Sequence, residues 1–274
     1  MKLGIIQGWD EAGFQYAASK GLEAVEFCVN HNYDSAAFVQ QVPQIKSYIE
    51  KYGVAVGSMG RWGQVRIDKN GEVIPSALLD DQRLIDAASA LGCPVYNVGC
   101  NWTQGKTFEE NCQIAIEYFA KLLAYAEGKN VKIATVNCGW ENFVLTPKEW
   151  NVIHTALPEL GIKYDPSHCL NRRGDYLKEI RDWCKRIYHF HIKGAMYIDG
   201  EHFDDPPAGL DQIHWGPIMN LLYINGYDGM LSIEPHSGYW KGKMGQWGVD
   251  FTIRFIRPYI MPADYGEAGS PYMP

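Results

Sequence analysis

Short β-branched runs alternate with amphipathic segments along the whole chain of 274 residues. Eight runs rich in Val, Ile, Tyr and Phe predict strands at residues 3–7, 24–28, 54–59, 95–99, 131–136, 161–165, 187–192 and 230–234. The segments between them repeat apolar residues at helical spacing. Eight strands in strict alternation with eight helices predict a single (β/α)8 TIM barrel of the α/β class. A doubly wound sheet is the alternative, but no Gly-rich phosphate loop follows the first strand.

The sequence contains no linker, so we expect a barrel over residues 1–260 and a Pro- and Gly-rich C-terminal tail over 261–274, which docks on the barrel or on a partner. Two connections are long, at 60–76 and 194–209. Each is predicted to contain a hairpin, the first turning at Asn70-Gly71 and the second within MYIDGEHF. Both connections follow strands and are therefore expected to overhang the catalytic end of the barrel.

Helix boundaries are marked by caps. Thr146 and Glu149 fit a capping box at the start of one helix. Gly53, Gly92 and Gly161 each follow a helical stretch just before a strand, where a left-handed C-cap is expected.

Composition excludes several classes of function. The formal charge of −7 and the pI near 5.6 argue against a general binder of nucleic acids or membrane surfaces. No apolar run reaches the ~20 residues of a membrane-spanning helix, and the N-terminus does not fit a signal peptide. Seven cysteines without paired spacing predict reduced thiols and a cytoplasmic protein.

Titratable residues are concentrated at the ends of the last three predicted strands. Asp165 ends the sixth in YDPSH, and Glu234 ends the eighth in SIEPH. Alternation along the seventh, IYHFHIK, places His189, His191 and Lys193 on one face. Taken alone, an Asp before Pro is explained as a residue that caps a turn. Taken alone, a His that faces inward is explained as a core residue with a hydrogen-bond partner. The repeated pattern on three consecutive strands favours a functional site, because buried charges are costly unless they have partners.

Asp165, His191 and Glu234 together offer two carboxylates and one imidazole. Mixed oxygen and nitrogen ligands suit a divalent metal, and we favour Mn²⁺, with Mg²⁺, Co²⁺ and Zn²⁺ as alternatives.

The segments KIATVNC, KYDPSH, HFHIKG and LSIEPH, in this order, resemble the xylose isomerase-like barrels of the sugar phosphate isomerase/epimerase superfamily. That resemblance implies a divalent metal bound by Glu, Asp, His and Glu on strands five to eight. The matching positions are Asp165, His191 and Glu234, with His168 and Lys193 as neighbouring catalytic or substrate-binding groups. The family usually has Lys-Asp after the strand-seven His, whereas this chain has Lys193-Gly194.

The family commonly has Ile-Glu-Asn-Cys on strand five, whereas this chain has TVNC and places Val136 at the ligand position. Three alternatives follow: Glu141 reaches back to the metal, water or substrate fills the position, or the metal site is degenerate. We favour the first two, since the inward acids and His191 would otherwise be unpaired.

Epimerisation through an enediolate uses two carboxylates, so the loss of one favours single-base chemistry in which Glu234, His168 or Lys193 moves the proton. The leading prediction is a metal-dependent sugar isomerase or epimerase. The alternatives are a lyase that eliminates an aglycone or water from a keto-sugar, and a non-catalytic sugar-binding barrel. An apurinic-site endonuclease is disfavoured because too few metal ligands are present and the pI is acidic.

Trp residues after the strand ends suggest stacking on a sugar or an aromatic group, although Trp also fills loop interiors. Arg61, Arg172 and Arg173 could hold a phosphate, but paired loop arginines are more often solvated, so we favour a non-phosphorylated sugar or glycoside. The aromatic candidates are Trp9, Trp62, Trp102, Trp140 and Trp240; the substrate-binding predictions are the first four with Arg172 and His236.

The segment HIKGAMYIDGEHFDDPPAGLDQIHWG, followed by GYDGMLSIEPHSGYW, is similar to catalytic subunits of C-glycoside deglycosidases. That narrower resemblance implies elimination from a 3-keto C-glycoside and a small β-sandwich partner subunit. A homo-oligomer is equally compatible with the sequence.

Overall fold

The computed structural model describes residues 1–262, in which eight parallel strands close into a barrel. These strands are β1 (Lys2–Ile6), β2 (Ala24–Cys28), β3 (Ala55–Arg61), β4 (Val95–Val98), β5 (Lys132–Val136), β6 (Gly161–Tyr164), β7 (Ile187–Ile192) and β10 (Met230–Ile233). They pair in the order β1-β10-β7-β6-β5-β4-β3-β2, and β1 closes the ring on β10. The predicted TIM barrel is confirmed. The doubly wound alternative is wrong because the sheet is closed.

Helices surround the barrel. They are α1 (Glu11–Ser19), α2 (Ser35–Gln40), α3 (Val42–Tyr52), α4 (Pro75–Leu91), α5 (Phe108–Ala126), α6 (Pro147–Ala156), α7 (Pro166–Asn171), α8 (Tyr176–Trp183), α9 (Trp215–Ile224) and α10 (Gly242–Ile256). Single turns of 3-10 helix lie at Cys184–Arg186 and Arg257–Tyr259. The prediction of eight helices was therefore too low for residues 1–262, because the short helices α2 and α7 precede the main helices of their units.

Alternation along the strands separates an apolar layer from a polar lumen. Phe190 faces outward and packs against Tyr164 of the neighbouring strand, with 5.8 Å between the ring centroids. Its neighbours His189 and His191 face inward and contact Glu26 of β2 across the lumen. The polar lumen thus leads directly to the carboxyl ends of the strands, where TIM barrels carry their sites.

The helix-start signals act as predicted. The Thr146 side chain accepts a hydrogen bond from the first turn of α6, and the Glu149 carboxylate accepts one from the backbone of Thr146. Thr107 and Glu110 form a second capping box at the start of α5. These caps satisfy backbone N–H groups that a helix leaves without partners.

Two of the three predicted glycine caps are confirmed. Gly53 and Gly92 end α3 and α4 in the left-handed region, with φ of 65° and 68°. Gly161 is not a cap but the first residue of β6. A Cβ there would lie 1.9 Å from the ring of Tyr188 on β7, so close packing between strands explains this glycine.

Both predicted hairpins are present. The connection after β3 has one antiparallel bridge, Ile67↔Val73, and turns at Gly71, where φ is 92°. The connection after β7 has a two-stranded ribbon of β8 (Met196–Ile198) and β9 (Glu201–Asp204). Each lies at the carboxyl end of the strand that it follows.

The seven cysteines are all free thiols, as predicted. Within residues 1–262, no helix combines the length and the apolar character needed to cross a membrane. The predicted tail at 261–274 falls outside the described residues from position 263 onward.

Candidate active site

A cavity of about 570 Å³ lies at the carboxyl ends of the barrel strands. Its volume is in the range of cavities that bind small molecules, and this end of the barrel is the one that carries TIM-barrel active sites. Its lining residues are Ile6, Cys28, Asn30, Trp62, Cys138, Trp140, Lys163, His168, His191, Lys193, Glu234, Pro235 and His236. We therefore assign it as the candidate active site.

The three predicted metal ligands converge beside this cavity. Asp165 is the N-cap of α7, where its Oδ1 accepts a hydrogen bond from Ser167 N at 2.9 Å. Its Oδ2 lies 3.8 Å from His191 Nδ1, and Glu234 Oε2 lies 2.7 Å from the same nitrogen. One ligand atom from each of the three residues lies within 4.8 Å of the other two. The strand register thus brings together residues that are distant in sequence.

Glu26 is a fourth member of the site that the sequence analysis did not identify. It is fully buried on β2, and its Oε2 accepts hydrogen bonds from Nε2 of His189 at 2.8 Å and of His191 at 2.9 Å. Burial opposes ionisation of Glu26, but the charges and hydrogen bonds of the two histidines outweigh it and hold its pKa well below the usual range. An acid inside the apolar run AVEFC was the available signal.

The position of Glu26 determines which nitrogen of His191 faces the carboxylates of Asp165 and Glu234. Because an ionised carboxylate only accepts hydrogen bonds, Nε2 of His191 carries a proton. Nδ1 then points at the carboxylates of Asp165 and Glu234. A carboxylate behind a metal-binding His is a recurrent arrangement, since it fixes the ring orientation.

The donor set fits a divalent ion. Oδ2 of Asp165 is buried and has no hydrogen-bond partner, although it faces His191 Nδ1. An orphaned buried carboxylate oxygen is unfavourable without a cation or a donor. Glu26, His189 and His191 form a second group with ligand spacing, but neither Glu26 nor His189 lines the cavity, and the nitrogens that approach Glu26 already donate to it. We therefore assign Asp165, His191 and Glu234 as the residues that would hold a metal.

Two further predicted residues flank this group. His168 Nε2 lies 3.5 Å from Asp165 Oδ2, and burial is the main reason that the pKa of His168 is lowered to about 4. Lys193 Nζ lies 3.7 Å from Glu234 Oε1. Burial opposes the charge of Lys193, but Glu234, Asp165 and Asp205 outweigh it and raise its pKa. At neutral pH the site therefore presents a neutral imidazole and a charged ammonium.

Lys163 is a second lining residue that the sequence analysis did not identify. Lys163 lies on β6, two positions before Asp165, which directly follows the strand. Both side chains therefore face the lumen. The Lys163 side chain is 2% exposed, and its Nζ lies 3.9 Å from Asp165 Oδ2. The signal was the same alternation that placed His189 and His191 on one face.

The strand-five position holds an apolar residue in the lumen, as the sequence implied. Val136 is buried and is paired in register with Lys163. The following turn is fixed by Asn142, whose Nδ2 donates to the carbonyls of Val136 and Cys138 at 2.8 and 3.0 Å. Glu141 within this turn is exposed and belongs neither to the cavity lining nor to the ligand groups of residues 1–262. A catalytic role for Glu141 stays a prediction that requires the turn to move.

The tryptophans are distributed over several environments. Trp62 and Trp140 line the cavity. The ring of Trp140 lies against Gly63, whose φ is 70° and where a Cβ would lie 2.4 Å from the indole. Trp9 and Trp102 do not line the cavity.

Loop packing accounts for the tryptophans that do not line the cavity. Trp9 packs edge-on against Tyr33 and Phe38, Trp102 packs edge-on against Phe143, and Trp240 stacks on Trp247. Substrate contacts by Trp62 and Trp140 stay predictions.

Two of the three candidate arginines, Arg61 and Arg172, are occupied by protein groups. Arg172 donates to His168 O at 2.9 Å and pairs with Glu179, and buried Arg61 donates to four loop carbonyls. His236 lines the cavity, and its Nδ1 lies 2.8 Å from Asp205 Oδ2. Of these residues, His236 is the one placed to contact a ligand.

Replacing Glu26 with Gln is expected to weaken Mn²⁺ binding by about 10- to 100-fold, because the carboxylate that orients His191 is lost while the side-chain volume is kept. Isothermal titration calorimetry measures this affinity. Glu23→Gln is the matched control, since Glu23 precedes the same strand but pairs with Arg257 at the surface. Equal affinity in wild type and Glu26→Gln would contradict the orienting role.

The fold and the residues at its carboxyl end define a TIM barrel with a candidate metal centre. The family model of the xylose isomerase-like TIM barrel matches residues 14–255, and the chain belongs to this family. No curated protein matches the sequence.

Solved structures with the same fold include three sugar-modifying enzymes. A 3-keto-D-glucoside 4-epimerase from E. coli has a TM-score of 0.74 and 14% identity, over 94% of this chain and 99% of that one. A D-psicose 3-epimerase from Clostridium cellulolyticum has a TM-score of 0.74 and 16% identity, over 96% and 100%. A mannonate dehydratase from Streptococcus suis has a TM-score of 0.74 and 13% identity, over 94% and 93%. At these identities the likeness shows the fold alone.

Proposed function

We propose that this protein is a divalent-metal-dependent sugar isomerase or epimerase, which moves a proton at a carbon next to a carbonyl group. The observation that carries the proposal is the convergence of Asp165, His191, Glu234 and Lys193 at one cavity. The sugar epimerases among the structures of the same fold support it.

Asp165, His191 and Glu234 would hold the metal, and Mn²⁺ is our first choice. A divalent ion there supplies Lewis-acid polarisation of a carbonyl oxygen. The protein's own part is to orient the ligands. Glu26 fixes the ring of His191, and Ser167 N holds one oxygen of Asp165.

Glu234 is the base in this proposal. Burial opposes ionisation of Glu234, but the hydrogen bond from His191 and the charge of Lys193 outweigh it and hold its pKa well below the usual range. A metal bound to His191 would replace that hydrogen bond with its own positive charge, which also favours the ionised form. Glu234 is therefore ionised at neutral pH and can accept a proton. His168, which is neutral at that pH, can hydrogen-bond a sugar hydroxyl, while the Lys193 ammonium stabilises negative charge.

A single base favours aldose–ketose isomerisation over two-base epimerisation. Among the described lining residues, Glu234 is the one carboxylate, and the strand-five position holds Val136. Two-base epimerisation requires a second proton-transfer group on the opposite face of the reacting carbon. Glu141 would supply it if the turn rearranged.

Elimination from a keto-sugar is the second candidate, in line with the narrower deglycosidase resemblance and its partner subunit. The same single carboxylate favours it, because removal of one proton followed by loss of a leaving group needs one base. Trp62 and Trp140 in the cavity wall provide surfaces on which an aromatic aglycone could stack. The mannonate dehydratase of similar fold shows by its name that elimination occurs on such barrels.

The substrate in this proposal is a sugar or glycoside without phosphate. Arg61 and Arg172 already donate to protein oxygens, so neither is free to bind a phosphate. His236 and the cavity tryptophans are the proposed contacts.

Metal content and solvent exchange test the proposal together. The protein is loaded with Mn²⁺, desalted and measured by mass spectrometry, then incubated in D₂O with D-fructose, D-tagatose, D-psicose and a 3-keto-D-glucoside. We expect about one metal per chain, as three convergent ligands predict, and carbon-bound deuterium in an isomeric product by NMR.

Release of an aglycone or of a dehydrated sugar would identify the lyase instead. A protein that binds no metal after loading and exchanges no deuterium into any of these sugars would contradict the enzyme proposal and leave the sugar-binding barrel.

A further inference from the structure

Lys163 is a buried side chain whose ammonium has no hydrogen-bond acceptor among residues 1–262. It is 2% exposed, and its closest charged oxygen within residues 1–262, Asp165 Oδ2, lies at 3.9 Å, beyond hydrogen-bond distance. An ammonium carries three donors, and buried donors are nearly always paired. Since Lys163 lines the cavity, the missing acceptor has to come from the cavity side.

Of the two strands that neighbour β6, β5 offers no acceptor from its side chain in register with Lys163. The residue in register with Lys163 on β5 is Val136, which is buried and apolar. On β7 the residue in register is His189, whose Nε2 donates to Glu26 and whose Nδ1 makes no hydrogen bond within residues 1–262. Lys163 therefore lies between Val136, His189 and the carboxylate of Asp165, and it faces the cavity. This arrangement presents its N–H groups to a bound molecule.

Lys193, directly after β7, repeats this arrangement. It is 4% exposed, and its closest carboxylate oxygens lie at 3.7 Å on Glu234 and 4.0 Å on Asp205. Two buried ammoniums thus share the cavity wall with Glu234. Lys193 has carboxylate oxygens of two residues within 4.0 Å, whereas Lys163 has one, so Lys163 is the ammonium with fewer anionic partners in the described part of the protein.

We propose that Lys163 is an oxyanion-binding residue of this cavity, in addition to Lys193, and donates hydrogen bonds to a negatively charged oxygen of the sugar. This inference rests on the proposed function. Two sources share this chemistry: the carboxylate of a sugar acid, and the enediolate formed during proton transfer. In the second case Glu234 takes the proton, the C–H electron pair forms the C=C bond, and the former carbonyl oxygen takes the charge. Lys163 donates a hydrogen bond and transfers no proton.

Isothermal titration calorimetry on the Mn²⁺-loaded protein tests this role. The probes are D-threonohydroxamate, whose ionised form is a planar anionic mimic of an enediolate, and its neutral amide, D-threonamide. A second pair, D-glucuronate and D-glucose, tests whether Lys163 binds the carboxylate of a sugar acid, which is charged before any reaction. The variants are Lys163→Met and Lys163→Gln, and Lys185→Met is the control because it removes the same charge from an exposed site at the other end of β7.

Wild type and Lys185→Met are expected to bind the hydroxamate more tightly than the amide. Both Lys163 variants should lose about 10- to 100-fold in affinity for the hydroxamate, as expected for a charge-assisted hydrogen bond, with little change for the amide. A parallel loss for D-glucuronate but not for D-glucose would identify sugar acids as a source of the oxyanion. A loss confined to the hydroxamate would identify the enediolate.

Three results would overturn the proposal. The first is a wild type that does not distinguish the hydroxamate from the amide. The second is an equal loss for both probes in the Lys163 variants, which would indicate a packing defect. The third is weaker Mn²⁺ binding by Lys163→Met, because removal of a neighbouring positive charge should tighten it. Failure of the proposed function is distinguishable, since it appears in wild type as missing metal or missing deuterium exchange.

Discussion

Glu234→Gln is expected to lower the turnover number by about 10²- to 10⁴-fold, the usual contribution of a positioned general base. The amide keeps the volume of the side chain but cannot accept the proton. Glu234 lines the cavity and lies 2.7 Å from His191 Nδ1, so it is placed both to bind a metal and to reach a substrate. The rate of deuterium incorporation from D₂O into the product sugar measures the effect.

A second variant separates loss of the base from loss of a ligand. Asp165→Asn weakens the metal site but keeps Glu234, so excess Mn²⁺ should restore part of its activity. The same excess should not restore Glu234→Gln. Glu117→Gln, an exposed change on α5, is the charge-matched control. Turnover in Glu234→Gln within a few fold of wild type, with metal bound, would contradict the assignment of the base.

The sequence predicted the barrel well because hydrophobic periodicity is a local property. All eight predicted strands lie within two residues of the observed ones. The helix count was less accurate, since α2 and α7 have six residues each and are too short for a periodic pattern. Gly161 was misassigned as a cap because its requirement comes from Tyr188 on another strand, which the local sequence does not contain.

The three candidate metal ligands were predictable because they lie at or near the ends of consecutive strands of the barrel. The residues that contact them, Glu26 and Lys163, were not predicted. Glu26 lies in the middle of β2, two residues before its end, and Lys163 is the residue before the last of β6. Glu26 pairs with His189 across the lumen, through a contact between residues 163 positions apart. Only closure of the barrel reveals such a pair.

Loop residues were the least predictable part of the site. Position after a strand end placed five tryptophans on one face, yet Trp62 and Trp140 are the ones that line the described cavity. The direction of each loop depends on packing such as that of Trp9 against Phe38. Sequence spacing carries no information about that packing.

A buried network outside the site supports the position of Trp62. Arg66 follows Trp62 in the long connection after β3, and its guanidinium donates to both carboxylate oxygens of Asp81 on α4 at 2.9 and 3.0 Å. Tyr96 of β4 and Tyr118 of α5 donate their hydroxyls to the same carboxylate. All four side chains are at most 1% exposed. Asp81 therefore joins the connection to three elements of the barrel.

Asp81→Ala is expected to lower the free energy of unfolding by about 3–5 kcal/mol, because it leaves the buried charge of Arg66 without its partner. Burial opposes the charge of Arg66, and in the wild type the interaction with Asp81 is the main effect that instead raises its pKa. The variant loses this compensation, but a guanidinium does not lose its proton in proteins, so the charge stays buried without its partner. Chemical denaturation measures the loss. Since Trp62 is in the same connection, binding of cavity ligands should weaken as well.

Two further variants decide whether the ion pair causes this loss. Asp86→Ala removes an acid from the same helix, but Asp86 is 49% exposed and pairs with Lys129 at the surface, so the cost should be about 0–1 kcal/mol. The double variant Arg66→Met/Asp81→Leu removes both charges and should recover part of the stability that Asp81→Ala loses, since no unpaired charge remains. If Asp81→Ala costs no more than Asp86→Ala, the network does not anchor the connection, and the position of Trp62 depends on its packing alone.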